Sequence, residues 1–77
     1  MTYSTLDCLA PGQGATVQDL TFPAPKRRRL LDLGFVPGAA VTALQAAPWG
    51  DPMAYGVRGA VIALRRKDAR NIAIVGK

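Results

Sequence analysis

The chain has 77 residues, ten basic against five acidic side chains, no histidine and a single cysteine. That length suits one small domain, which we expect to span residues 1–77. Because zinc and non-haem iron sites draw on several imidazole or thiolate ligands, we expect no metal site and no bound cofactor.

Groups that commonly carry catalysis are absent as well. The sequence offers no histidine base, and its five aspartates are scattered at wide spacing rather than paired. No neighbour of Cys8 in the sequence would lower its thiol pKa, so we interpret Cys8 as a small buried hydrophobic residue. The expected function is therefore not enzymatic.

Nothing in the sequence indicates export or insertion into a membrane. No apolar run approaches the ~18–20 residues that a helix needs to cross a bilayer. Residues 1–7 show neither the basic segment nor the apolar stretch of a secretory signal, and one cysteine cannot form an internal disulfide. These features predict a soluble protein of the reducing cytoplasm.

The first 20 residues predict an entry segment followed by a strand. Leu6 and Leu9 precede a Pro11-Gly12 turn, and a segment of this kind can plug one end of a core. The alternating pattern of residues 15–20 then predicts a strand.

A short helix is predicted over residues 26–33. Pro25 suits the first helical position, where its missing N–H costs nothing, and Gly34 suits a left-handed cap that ends the helix. Arg28 and Asp32 lie one turn apart, so an ion pair between them is expected on the helix surface.

The first turn of this helix is unusually basic. Residues 26–29 place four cations at the positive end of the helix dipole, where each is unfavourable by roughly 0.3–1 kcal/mol at low salt. Helix stability does not explain that choice, whereas a solvated face or an acidic partner surface would. Lys26, Arg27 and Arg28 are therefore candidate partner-binding residues.

Glycine and proline divide the second half of the chain into four predicted strands. A Pro37-Gly38 type II turn precedes them, and Gly56 is expected to mark a bulge or a sharp bend. Residues 65–71 predict a turn or a single helical turn with Ala69 facing inward. The predicted strands cover residues 40–47, 53–58, 60–64 and 72–75.

The loop at residues 48–52 and the strand after it supply further candidates for partner binding. Trp49 either caps one end of the fold or serves as an exposed anchor, a role in which tryptophan is enriched at interfaces. Tyr55 and Arg58 either belong to the mixed face of their strand or contribute to a groove beside this loop.

Five short strands and one helix predict a mainly β fold, a small antiparallel barrel whose closure would remove free sheet edges. The sequence shows no repeat and no linker.

With its residues in this order, the chain resembles the FeoA family of small cytosolic proteins of bacterial ferrous iron uptake. The resemblance extends from about Leu6 to Val75 and implies an SH3-like β-barrel with one added helix. The matching segments are RRLLDLGFVPG at 28–38, APWGDP at 47–52, VRG at 57–59, IALR at 62–65 and ARNI at 69–72.

The resemblance also implies a function. It suggests a non-enzymatic accessory role for FeoB, a GTPase-linked ferrous iron permease, with docking on the cytosolic part of that transporter. The same fold unit occurs as a C-terminal domain in DtxR-type repressors, but this chain has no room for a DNA-reading helix-turn-helix ahead of it. The stand-alone family member therefore fits better.

The net charge of +5 has three explanations, which are contact with a transporter's cytosolic surface and the anionic inner leaflet, contact with nucleic acid, and simple solubility. A small basic barrel can bind nucleic acid, although five aromatic residues offer few platforms for base stacking. A separate, structural alternative is self-association through an exposed strand edge. Attraction to the anionic inner leaflet would make the protein peripheral to the membrane at most.

Overall fold

In the computed structural model, which describes residues 3–76, six strands surround an apolar core with one helix of ten residues beside them. A 3₁₀ turn and a four-residue helix complete the fold. The elements are β1 Tyr3–Thr5, the 3₁₀ turn Leu6–Cys8, β2 Gly14–Leu20, α1 Ala24–Leu33, β3 Ala40–Ala46, β4 Met53–Val57, β5 Ala60–Leu64, α2 Arg66–Ala69 and β6 Ile72–Gly76.

All neighbouring strands are antiparallel, in the order β1-β6-β2-β3-β4-β5. The predicted class, mainly antiparallel β with one helix, is confirmed. The sheet itself stays open, because β1 and β5 each pair along one side only within residues 3–76. The expectation that the sheet closes into a barrel without free edges is therefore wrong.

Strand β1 is the element that the sequence did not predict. Its three residues are too few to show an alternating pattern, and they become a strand by pairing with β6, Ser4 opposite Ile74. The predicted entry segment is present after it as the 3₁₀ turn, whose Leu6 is completely buried.

Inward-facing strand residues and three other elements fill the core. Tyr55 and Phe35 are its largest fully buried side chains, and Leu30 is the buried residue of α1. Ala69 of α2 is also fully buried, which confirms the prediction that it faces inward. No buried charged residue lies within residues 3–76, so the interior of this part of the fold is apolar.

Helix α1 begins at Ala24, two residues before the predicted start, and ends at Gly34 as predicted. Gly34 has a φ of +117°, a region that residues with a side chain avoid, and its N–H donates to the carbonyl oxygens at the helix end. The predicted type II turn follows, with the Ala39 N–H donating to the Val36 carbonyl at 2.9 Å. No helix in residues 3–76 is long and apolar enough to cross a membrane.

The bulge expected at Gly56 lies on the neighbouring strand instead. Gly56 pairs regularly with Thr42 and Val61, while the register shifts between Ala43 and Gln45 of β3. The extra residue is Leu44, whose side chain would lie 3.5 Å from a Cβ at position 56. That distance is ordinary van der Waals contact, so neither a bend in β4 nor the neighbouring Leu44 explains why position 56 is a glycine.

Candidate interaction surface

The loop between β3 and β4 holds Trp49 out in solvent. The Trp49 side chain is 90% exposed, so the alternative in which it caps one end of the fold is wrong. Backbone hydrogen bonds close the loop beneath it, from the Gly50 N–H to the Ala47 carbonyl at 2.7 Å and from the Ala47 N–H to the Pro52 carbonyl at 2.9 Å. An exposed indole on a hydrogen-bonded loop has the properties of a binding anchor.

The same loop is fastened to helix α2. The Asp51 carboxylate accepts a hydrogen bond from the Arg66 N–H at 2.9 Å, and the Arg66 guanidinium donates to the Gly50 carbonyl at 3.3 Å. Asp51 thereby satisfies one of the free N–H groups at the start of α2. These contacts hold the backbone of the loop that carries Trp49 against α2.

An ion pair then joins α2 to α1. The Lys26 ammonium lies 2.7 Å from the Asp68 carboxylate and 5.6 Å from the centre of the Phe22 ring. Lys26 is therefore held in place by an anion and by the face of an aromatic ring. The loop, α2 and the start of α1 form one continuous surface, which we call the helix–loop surface; it comprises Lys26, Trp49, Asp51, Arg66 and Asp68.

The other two basic candidates on α1 have different environments. Arg27 lies 3.6 Å from the Asp19 carboxylate and donates to the Leu20 carbonyl at 3.3 Å, so it fastens α1 to β2. Arg28 is exposed, and the expected Arg28–Asp32 ion pair is not formed. An arginine before an aspartate is the weaker order for such a pair, and water solvates both groups. Of these two residues, Arg28 is the one available to a partner.

Arg58 lies at the turn between β4 and β5. Arg58 and Gly59 have φ values of +50° and +82°, as a type I′ hairpin turn requires at both central positions. The stem of Arg58 packs over Gly34, at 3.4 Å from the position of a Cβ there, which brings the residue to the C-terminal end of α1. Five-residue β4 separates it from the 48–52 loop by about 15 Å. The expectation that Arg58 lines a groove beside this loop is therefore wrong.

Tyr55 is also not a surface residue. Its side chain is 1% exposed, and its hydroxyl donates to the Leu6 carbonyl at 3.4 Å. Burial raises the pKa of the Tyr55 phenol, and the nearby Asp7 charge raises it further. Tyr55 faces inward because it occupies the same face of β4 as the buried Met53 and Val57, so contact with a partner is excluded.

Two expectations for Cys8 are wrong: that its side chain is buried, and that no neighbour lowers its thiol pKa. It is exposed, because the 3₁₀ turn buries Leu6 and leaves Cys8 outside. The Thr5 hydroxyl lies 3.7 Å from the Cys8 sulfur. Hydrogen bonds from Ser4 and Thr5 lower the thiol pKa. The sequence did carry a signal for this lowered pKa, namely the hydroxyl residues Ser4 and Thr5, four and three positions before Cys8.

The helix–loop surface suits recognition rather than catalysis. Its side chains are an indole, two cations and two carboxylates, and each of the charged groups already has a partner within the fold. In the part of the chain that the structure describes, no three histidine, cysteine or acidic side chains converge as a metal site. Asp51, Arg66 and Asp68 were not predicted, since contacts between residues so distant in sequence leave no local pattern.

Comparisons with known proteins identify the family and the fold. The FeoA domain family matches residues 4–75. A FeoA protein from Chlorobium tepidum has the same fold with a TM-score of 0.89 and 36% identity, covering 95% of this chain and 70% of that one. FeoA from Stenotrophomonas maltophilia, in a complex with zinc, gives a TM-score of 0.78 and 33% identity over 94% of this chain and 89% of that one. That protein is described as an SH3 domain protein, which confirms the expected SH3-like fold.

A curated relative joins two proteins in one chain. It is a fusion of Fe(2+) transport protein A with the Fe(2+) transporter FeoB from Porphyromonas gingivalis. The identity is 42% over 48 residues, which cover 62% of this chain and 6% of the fusion protein. The chain thus spans a small fraction of the length of that relative.

Proposed function

The chain belongs to the FeoA family of ferrous iron transport, and we propose that it is a non-enzymatic accessory protein that docks on the cytosolic part of a FeoB-type transporter. The fusion of a related domain with FeoB in one polypeptide is the observation that supports docking most directly. A covalent link keeps two modules at a high effective concentration, which is useful when they act on each other.

The helix–loop surface supports a docking role. Trp49 offers a large apolar side chain that water surrounds, and its loop is held by Asp51 and Arg66 before any partner arrives. A loop ordered in advance loses little conformational entropy on binding. Arg28 adds a cation on α1 that forms no ion pair within residues 3–76 and can strengthen attraction to an acidic surface.

A titration tests the proposal. The cytosolic domain of the transporter from the same organism is titrated into this protein in a calorimeter, at low and at moderate salt. We expect saturable binding that Arg28→Gln weakens about two- to tenfold, with a smaller effect at higher salt. The matched control is Gln18→Glu on the exposed part of β2, because it makes the same change in net charge elsewhere.

Two results would contradict the proposal. Absence of binding to the transporter domain is the first, and normal ferrous uptake by a strain that lacks this gene and any second copy is the second. Salt-sensitive binding to RNA, without binding to the transporter, would favour the nucleic-acid alternative instead.

A further inference from the structure

Strand β5 leaves one edge of the sheet free. It pairs with β4 along one side, and within residues 3–76 no strand pairs with the other side. Natural edge strands are usually shielded by lysine, proline or a bulge, yet the five residues of β5 are all apolar. The Val61 side chain is 70% exposed. An edge of this kind is a template for another strand.

The type I′ turn determines which backbone groups of β5 are not hydrogen-bonded to β4. A two-residue hairpin closes on a hydrogen-bonded pair, here Val57 and Ala60, and such pairs alternate along an antiparallel ladder. Ile62, opposite Tyr55, is therefore bonded to β4. The N–H and C=O groups of Val61 and Ala63 point away from β4, toward the free edge.

A groove borders this edge. It has a volume of about 600 Å³ and separates β5 from α1. Leu30, Leu33 and Ile62 line its apolar part, and Leu33 is 43% exposed. Arg29 lies on the same wall and forms no ion pair within the described residues. The other charged residues of the groove, Lys26 and Asp68, neutralise each other.

Charge indicates whether a second copy of this chain or a segment of another protein occupies the free edge of β5. Antiparallel pairing of two β5 strands about Ile62 would set Ala60 opposite Leu64 of the second copy, so Arg65 after each strand would come close to the turn that carries Arg58 of the other copy, at both ends of the pair. Each copy also carries a net charge of +5. Like charges brought close together destabilise strand pairing, so self-association through β5 is disfavoured. An acidic segment meets no such penalty.

We infer that the β5 edge and the adjoining groove bind an extended acidic segment of the transporter's cytosolic part, which adds as a strand beside Val61 and Ala63. Its backbone would pair with the free groups of these two residues, and its carboxylates would face Arg29, Arg58 and Arg65. The inference rests on the proposed docking and specifies how the partner is held.

Two substitutions at one position test the inference. Val61→Pro removes the outward N–H but no bond of the β4–β5 ladder, and prolines are tolerated at such edge positions. Val61→Glu keeps the backbone and repels an acidic segment. We expect each to weaken binding of the transporter's cytosolic domain at least tenfold, whereas Gln18→Glu changes it less than twofold. If Val61→Pro does not fold, as circular dichroism will show, Val61→Glu carries the test.

Hydrogen exchange gives a second readout. On addition of the transporter domain, we expect the Val61 and Ala63 amides to become protected, while the Ile62 amide is protected from the start. Binding that neither variant weakens, with no new protection, would overturn the edge site and leave docking intact. No binding by the unmodified protein would overturn docking itself. A dimer with protected Val61 and Ala63 amides in the protein alone would show that a second copy occupies the edge.

Discussion

Trp49→Ala is expected to remove most of the docking affinity and almost none of the stability. The side chain is 90% exposed, so it contributes little to the packing of the folded chain. Substitutions at exposed positions usually change the free energy of unfolding by less than about 0.5 kcal/mol. Because Asp51 and Arg66 hold the loop through groups other than the indole, the loop itself should stay in place.

The loss of affinity can be worked out from the area available. An aromatic side chain buries about 200 Å² when a partner covers it, which at ~25 cal/mol per Å² corresponds to about 5 kcal/mol at most. Ordering and desolvation reduce this figure, and interface anchors usually cost about 2–4 kcal/mol when truncated. We therefore expect the dissociation constant for the transporter domain to rise roughly 30- to 700-fold.

The assay is calorimetric titration of Trp49→Ala beside thermal unfolding of the same preparation. Trp49→Phe serves as the control, since it keeps an aromatic ring of smaller area and should lose less affinity. A dissociation constant for Trp49→Ala within threefold of the unmodified protein would refute the role of anchor. An unfolding temperature lowered by many degrees would instead show that the loop needs the indole for its structure.

Three further predictions concern other contacts. Asp51→Ala should destabilise the fold by about 1 kcal/mol and lower Tm by roughly 4–8 °C in calorimetry, because the Arg66 N–H loses its acceptor. Asp51→Asn keeps an acceptor oxygen and should lose less stability. Ser4→Ala should move the pH profile of Cys8 alkylation to higher pH, since the Ser4 hydrogen bond is the largest cause of the lowered thiol pKa; an unchanged profile contradicts this. In urea unfolding, the free energy of unfolding of the unmodified protein should fall above pH ~10, because the buried Tyr55 phenol keeps its proton while the unfolded chain ionises. Tyr55→Phe should make that fall smaller.

The sequence predicted best those features that the local backbone determines. The helix ends at Gly34 and the chain turns at Pro37-Gly38, as predicted, because only certain residues allow those backbone angles. The predicted strands were found for the same reason, since glycine and proline mark their ends. Alternation also signalled that Tyr55 faces inward, between Met53 and Val57, although the sequence analysis left that residue as a surface candidate.

Features that depend on distant parts of the chain were not predictable. β1 becomes a strand because β6 is there to pair with it, and the bulge at Leu44 depends on how β3 meets β4. The Lys26–Asp68 ion pair joins residues separated by 42 positions. The basic start of α1 looked unfavourable in the sequence, yet the fold supplies Asp68 for Lys26 and Asp19 for Arg27.

The two surfaces on which these proposals rest are neighbours in the fold. Met53, which follows the Trp49 loop, pairs with Leu64 at the end of β5, so the loop stands at the end of the free edge. A segment that runs along Val61 and Ala63 would therefore be carried toward Trp49. Backbone pairing at the edge would then set the direction of the partner, and the indole would supply much of the apolar area. No charged side chain is buried within residues 3–76, so the charged groups and the indole that these proposals assign to recognition all lie on the outer surface.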